Sequence, residues 1–356
     1  MEQPPKYSTL IVYYFSGTGN AANASRVMVN YAKNLGMQTH LISVDRYDHD
    51  IKVPEFEGKA LIGFASPVHG FYIAPIMGHF ISDFPRGVNA DIFILNTRAG
   101  VKVGKSLLPG ISGMAFYEPA IMLRMKGYKC RGFLPIDLPS NWISIHPGLT
   151  NNAINVMYDF YTKKTERLLA KMLDGGYVYN GWYALWIDLP LIPITLAYSF
   201  VGRYGIAKAY MADSKCTNCG ICIENCPTES LIRINNRPYW KYTCENCMRC
   251  MNSCPERAIQ TPHLFAFIIW FLAYYAADYI TRLIYNNYIC NISTLCAWKI
   301  EVINFLIVSV LWVGISTFGF YILHIAMGIK FIRKMVEYTS LTKLLAWRRY
   351  KPKRIK

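Results

Sequence analysis

The chain predicts a doubly wound parallel α/β sheet, then a small cysteine-rich α+β module, then an apolar helical hairpin. Three observations carry this reading. Short β-rich apolar runs alternate with helix-compatible stretches through roughly the first half. Eight of the eleven cysteines fall into two copies of one pattern between Cys216 and Cys254. Two long, nearly uncharged runs follow them and lead into a strongly basic tail.

The first strand is expected over residues 8–15, Ser-Thr-Leu-Ile-Val-Tyr-Tyr-Phe, an apolar run of the kind buried on both faces of a parallel sheet. It ends at Ser16-Gly17-Thr18-Gly19-Asn20, and a helix-compatible stretch begins at Ala21. A strand, a glycine-hydroxyl loop and a helix start form an anion site, because backbone N–H groups and the helix dipole converge there. Further strands are expected at 38–44, 59–65, 91–96 and 130–136, with helices near 73–83, 102–126 and 152–173. In such a sheet the ligand lies at the ends of the first and third strands.

The loop expected after the third strand, Ser66-Pro67-Val68-His69-Gly70-Phe71-Tyr72, offers aromatic faces to a flat ring. The loop expected after the fourth, Asn96-Thr97-Arg98-Ala99-Gly100, offers small and polar groups to a ring edge. A dinucleotide fingerprint is absent. Together the three loops resemble the flavodoxin fold. That resemblance implies FMN, with its phosphate on Ser16, Gly17, Thr18, Gly19, Asn20 and Ala21 and its ring held by Pro67, Val68, His69, Gly70 and Phe71 and by Asn96 to Gly100. Flavodoxins usually carry a hydroxyl residue where this chain has Ala21, so one phosphate hydrogen bond is missing. An empty flavodoxin-like domain that only docks partners is the competing reading.

Each cysteine cluster reads C-x-x-C-x-x-C-x-x-x-C-P, first over Cys216, Cys219, Cys222 and Cys226 and then over Cys244, Cys247, Cys250 and Cys254. This is the run that holds paired cubane clusters in bacterial ferredoxins. Three thiolates on one tight loop cover three corners of a cube, and the distal cysteine crosses to the other cluster. One [4Fe–4S] cluster is therefore assigned to Cys216, Cys219, Cys222 and Cys254, the other to Cys244, Cys247, Cys250 and Cys226. Zinc also binds C-x-x-C pairs, but a zinc ribbon has no use for a third close cysteine and a trailing proline, twice. Between the motifs, Ser230–Ile234 and Arg237–Trp240 flank Asn235-Asn236 and read as a hairpin. Outside them, Cys130 reads as a small buried strand residue.

The order of parts resembles a family of flavodoxin–ferredoxin fusion proteins over about residues 8–262, including Gly132-Phe133-Leu134-Pro135 and Pro139-Ser140-Asn141-Trp142. The resemblance implies an electron-transfer protein. The expected architecture is thus an α/β flavodoxin-like doubly wound parallel sheet, a small α+β two-cluster ferredoxin module and a C-terminal transmembrane helical hairpin. The expected boundaries are 1–175, an apolar connector at 176–207, the ferredoxin at 208–262, two spans in 263–330 and a basic tail at 331–356.

Residues 264–280 and 302–329 are apolar enough to cross a bilayer, the second run more clearly than the first. From Lys330 to Lys356 there are ten Lys or Arg against Glu337 alone, which puts the tail, the ferredoxin and the α/β domain on the cytoplasmic side of the cytoplasmic membrane. Trp347 and Tyr350 read as part of an interfacial anchor. The connector between the spans then faces outward, with Cys290 and Cys296 open to pairing or to staying free. Asp278 and His324 read either as proton-handling groups beside a quinone or, preferably, as bundle-facing or headgroup-level polar groups. The stretch 181–202 reads as an interfacial segment, a buried connector or a span, with Asp188, Pro190 and Pro193 arguing against the last.

The net charge of +16 lies largely in that tail, so it points to anionic lipid rather than nucleic acid. The start, Met1 to Lys6, lacks the apolar core of a signal peptide, which suits thiolates and clusters in a reducing compartment. No nucleophile triad, paired acid–base carboxylates or nucleotide-hydrolysing loop is visible. The reading is a membrane-anchored electron-transfer protein that relays electrons between two [4Fe–4S] clusters and FMN, with membrane lipids and a redox protein as partners. The alternative is an oxidoreductase acting on a quinone or polyprenoid lipid, and a cluster-bearing sensor is a third.

Overall fold

The computed structural model describes residues 6–46, 49–179, 185–199, 203–285, 297–344, 346–352 and 355. They form two compact units. The first comprises the chain up to 196 with 247–252 and 348–356, the second 197–246 and 253–347.

The first unit is built on the strands β1 (Thr9–Tyr14), β2 (Gln38–Ser43), β3 (Ala60–His69), β4 (Tyr72–Ile73), β5 (Ala90–Val103), β6 (Ser106–Leu108), β7 (Lys129–Pro139) and β8 (Val178–Tyr179). Its helices are α1 (Asn20–Asn34), α2 (Pro75–Asp83), α3 (Tyr117–Met125) and α4 (Asn151–Leu173). The strand order is β2-β1-β3-β5-β7-β8, with β4 and β6 folded back on β3 and β5. The neighbours in the main order all pair parallel. Without those two short returns and the edge strand β8, this is the 2-1-3-4-5 order of flavodoxin-like sheets.

Alternation along each strand feeds two cores. Ile11, Tyr13, Ile62, Phe64, Ile92 and Ile94 point to the face covered by Ile76, Phe80 and Phe116. Leu10, Val12, Leu61, Phe93 and Leu95 point to the face covered by Ala24, Met28, Tyr161 and Leu169. Each of the larger side chains contributes roughly 1.5–3 kcal/mol by leaving water. Gly63 is required, because a Cβ there would run into the Phe93 ring.

The helix expected over 102–126 is a finding to correct. Strand β5 continues to Val103, turns at Gly104 (φ 57) and returns as β6, pairing Val101 with Leu108. The alternating Val101-Lys102-Val103 favours a strand, and Pro109, Gly110 and Gly113 keep a helix from starting before Tyr117. Segment 181–202 also resolves in part. Its described residues form two short helices, α5 (Leu185–Asp188) and α6 (Ile192–Ala197), separated by a tight turn at Pro190. Buried Asp188 accepts from the Gly113 amide at 2.8 Å and the Tyr117 hydroxyl at 3.2 Å, which ties this stretch to the first unit as a connector. Trp186 nevertheless stays 85% exposed.

In the second unit, α7 (Arg203–Lys208) leads to β9 (Met211–Ala212), α8 (Ile221–Glu224) and the hairpin β10 (Leu231–Ile234) and β11 (Arg237–Trp240). Asn235 and Asn236, both at positive φ, make the two-residue turn. Helix α9 (Arg249–Ser253) lies mainly in the 247–252 segment, and β12 (Ile259–Gln260) pairs with β9.

Two long helices follow, α10 (His263–Ile284) and α11 (Ala297–Ala326). They pack through small residues, with Ala266, Ala273 and Ala277 buried and Trp312 Nε1 donating to the Trp270 carbonyl at 3.0 Å. Most of their bulk faces outward: Leu272, Val310 and Phe318 are 61%, 72% and 66% exposed. At 1.5 Å per residue they reach about 33 and 45 Å, enough to cross a hydrocarbon core of about 30 Å. Both are long and apolar enough to span a membrane. Asp278 pairs with Arg282 one turn on, and His324 Nε2 lies 3.2 Å from the Ile234 carbonyl. Both are partnered polar groups near helix ends. The connector holding Cys290 and Cys296 lies outside the described residues.

The amphipathic helix α12 (Lys330–Tyr338) comes after α11, and Glu337 on it caps the Ser214 amide at 2.6 Å and pairs with Lys343. Tyr350 departs from the interfacial anchor expected of it. It is 3% exposed and belongs to the first unit.

Candidate functional site

The cysteine loops depend on residues held at positive φ, where the chain must turn tightly enough to aim successive thiols inward. Asn218, Gly220 and Glu229 take such angles in the first motif, and Asn246, Met248 and Arg257 take them at the same places in the second. The repeat extends to sulfur. The Ser230 amide donates to Cys226 Sγ at 3.2 Å and the Ala258 amide to Cys254 Sγ at 3.3 Å. An N–H aimed at sulfur stabilises the thiolate and any cluster charge it carries.

Cys216, Cys219, Cys222 and Cys254 line one pocket of the second unit, walled by Ile221, Ile223, Pro238 and Pro255. The distal cysteine of the second motif thus lines the same pocket as the first three of the first motif. Burial, then the neighbouring Cys216, Cys254 and Cys219, push the Cys222 thiol up to about 11. A thiol held up in this way gives up its proton to a strongly cationic group, which an iron cluster would supply. Among the described residues no three His, Cys, Asp or Glu side chains converge as one bound ion would require; the thiols instead stand round a pocket. Of the second set, Cys226 and Cys244 lie buried in the second unit, and Cys247 and Cys250 lie on the 247–252 segment of the first.

In the first unit, Ser16 Oγ accepts from the Gly19 amide at 3.1 Å, and Gly19 (φ 122) precedes α1 without any side-chain cap. The first-turn amides of α1 are thereby left for an anion. The Thr18 hydroxyl takes a hydrogen bond from Asn141. Asn20 is turned inward, its Nδ2 donating to the Pro139 carbonyl at 3.0 Å. Ala21 is buried and brings no hydroxyl. At Gly17 a Cβ would collide with the Cys247 carbonyl, so glycine is needed where the 247–252 segment meets this loop.

The other two expected loops are largely strand. Pro67, Val68 and His69 end β3, and Gly70 and Phe71, both at positive φ, form the tip that returns into β4. Asn96 to Gly100 lie inside β5 and pair with β7 out to Gly100–Pro139. Asn96 is fully buried, and neither its Oδ1 nor its Nδ2 has a hydrogen-bond partner; His69 Nδ1 is equally orphaned. Buried polar atoms without partners carry a penalty of about 1–3 kcal/mol each. A ring edge with alternating donors and acceptors would complete both, so these residues fit a flavin. Burial pushes the His69 imidazole down to about 4, which keeps it neutral. Arg98 differs from what was expected of it: its guanidinium is committed to Asp137 at 2.7 and 2.8 Å and to Ser112, leaving only backbone for a ring.

Sequence reasoning did not single out Arg249 or Lys208, and it gave Tyr350 a different place. Arg249 stands between two cysteines of the second motif, where its neighbours hid it. Lys208 is buried with its ammonium on the Trp240 carbonyl and over the Tyr239 and Tyr242 rings. No local pattern marks it.

Residues 215–259 match the 4Fe-4S dicluster domain family. No curated protein matches the chain. Solved structures similar to it include a flavodoxin from the domain Archaea (17% identity, TM-score 0.26, 45% of this chain and 97% of that one). The flavodoxin of Streptococcus pneumoniae TIGR4 is another (12%, TM-score 0.29, 46% and 98%). A third is the rubredoxin oxygen:oxidoreductase of Desulfovibrio gigas (15%, TM-score 0.27, 48% of this chain), of whose length the match spans only 38%. The fold assignment rests on the strand order rather than on these likenesses. The chain joins a flavodoxin-type α/β domain to a 4Fe-4S dicluster domain, and its parts are those of an electron-transfer protein.

Proposed function

We propose that this chain is a membrane-anchored electron-transfer protein of the flavodoxin–ferredoxin fusion family, relaying electrons between two [4Fe–4S] clusters and one FMN. The observation that carries the reading is the meeting of Cys254 with Cys216, Cys219 and Cys222 round one pocket. By the same exchange the second cluster takes Cys244, Cys247, Cys250 and Cys226. A cubane exchanges one electron and a flavin two, so the pair joins one-electron and two-electron carriers. Ser16–Ala21 would hold the flavin phosphate, and Asn96, His69 and the Gly70–Phe71 tip would meet the ring. The protein fixes the thiols in position and aims N–H groups at sulfur.

The hairpin α10–α11 anchors the module in this reading. Residues 348–352 belong to the same unit as the α/β sheet, which supports an even number of crossings with both on one side. Membrane lipids and a separate redox protein are the partners. Stopped-flow mixing of the anaerobically reduced holoprotein with an oxidised flavodoxin or ferredoxin tests this. Clusters and flavin reoxidising together in one turnover are expected; a flavin that stays reduced while the clusters empty would contradict the relay.

A further inference from the structure

Residues 348–352 and Ile355, a stretch rich in cations, lie against the loop that precedes α1 and the start of that helix. Tyr350 donates to Asn20 Oδ1 at 2.8 Å, the same oxygen that Tyr158 reaches at 2.9 Å. Burial holds the Tyr350 phenol well above its usual range, so it remains a donor. The Gly148 amide donates to the Arg348 carbonyl at 2.6 Å, and a Cβ on Gly148 would lie 2.7 Å from that oxygen. Pro352 sits against Gly19, about where a Cβ would touch it at 3.4 Å. The Ile355 amide donates to Asn23 Oδ1 at 3.1 Å, on the second turn of α1. Three of these contacts lay the stretch along the N-terminal end of α1, and the fourth holds it to the loop before α4.

Between them the segment carries Arg348, Arg349 and Lys351. Nothing else in Ser16-Gly17-Thr18-Gly19-Asn20-Ala21 is charged, Asn20 is spent on Pro139 and the two tyrosines, and Ala21 has no hydroxyl. A phosphate at this helix start would meet backbone amides and the helix dipole but no side-chain cation from its own loop. Cations carried on the adjoining stretch would change that balance in a salt-dependent way, because salt screens charges over a Debye length of about 8–10 Å.

We propose, taking FMN as the resident flavin, that residues 348–352 form a strap over the phosphate end of its site. Tyr350 fixes the Asn20 carboxamide and so the loop's shape, and Arg348, Arg349 and Lys351 supply the positive field that the loop lacks. Tyr350 is a positioning residue; the cations act on the phosphate.

The test uses the full chain in detergent, freed of flavin and titrated with FMN and with riboflavin, which has the ring but no phosphate. Replacing Arg348, Arg349 and Lys351 together by Gln should weaken FMN about ten-fold or more at low salt, and much less at about 0.5 M salt. Riboflavin affinity should not move. Tyr350→Phe should weaken FMN a few-fold with little salt dependence. Equal losses for both flavins would overturn the strap's action on phosphate, as would tighter FMN binding once the charges are gone. A wild-type chain that takes neither flavin would overturn the FMN reading itself, and the strap's role with it.

Discussion

Arg249 grips Asp45 through both terminal nitrogens, at 2.7 and 2.9 Å. The same guanidinium reaches the Ser16 carbonyl at 2.7 Å and the Gly17 carbonyl at 3.3 Å. One side chain, flanked by Cys247 and Cys250, thus pins the 247–252 segment to the loop that ends β1. Asn252 adds a hydrogen bond to the Thr18 carbonyl at 3.1 Å.

Arg249→Ala should release that segment. Charge-assisted hydrogen bonds contribute roughly 1.5–3 kcal/mol, and the partial exposure of this pair reduces the local loss to about 1–2 kcal/mol. Hydrogen exchange should speed up in 247–252 and in Ser16–Thr18 and stay unchanged in β1 and β3. Uniform exchange across the unit would show that the contact holds nothing in place.

Cys254→Ser and Cys216→Ser should damage the same cluster, because both thiols line one pocket. Their low-temperature EPR spectra should lose the same signal. Cys226→Ser should lose the complementary one, along with Cys244→Ser. Were Cys254 to pair in its effects with Cys244 instead, the crossing of distal cysteines would be wrong.

His69 gives the first unit an acid-sensitive stability. Its folded-state value, pushed down to about 4 by burial, lies below the ordinary 6.5. A depressed value means that the contribution is complete above about pH 6.5 and is lost as pH falls toward 4. Between pH 7 and pH 5 the loss is about 1–2 kcal/mol. Thermal unfolding of wild type and His69→Asn at those two pH values should show the gap between them shrinking at pH 5. A constant gap would mean that the imidazole is not buried neutral.

Much of this was legible in the residues. The continuous apolar run through Leu10-Ile11-Val12 marked a strand buried on both faces, and the spacing of Cys216, Cys219 and Cys222 marked a loop that turns three thiols inward. The strand returning through Val103 and Leu108 was not legible, since Lys102 to Lys126 contains enough helix formers to mask the breaks at Gly104, Pro109 and Gly113. Nor was the commitment of Arg98 to Asp137, a pairing across two strands. Tyr350 reads locally like a membrane-interface aromatic beside cations. Only its long-range hydrogen bond to Asn20 reveals a different place.

The most direct measurement is cofactor stoichiometry on anaerobically purified protein: iron, acid-labile sulfide, zinc and flavin per chain. The account predicts about eight iron and eight sulfide with one FMN, and no zinc. A preparation that carries zinc in place of iron and takes up no flavin would contradict it.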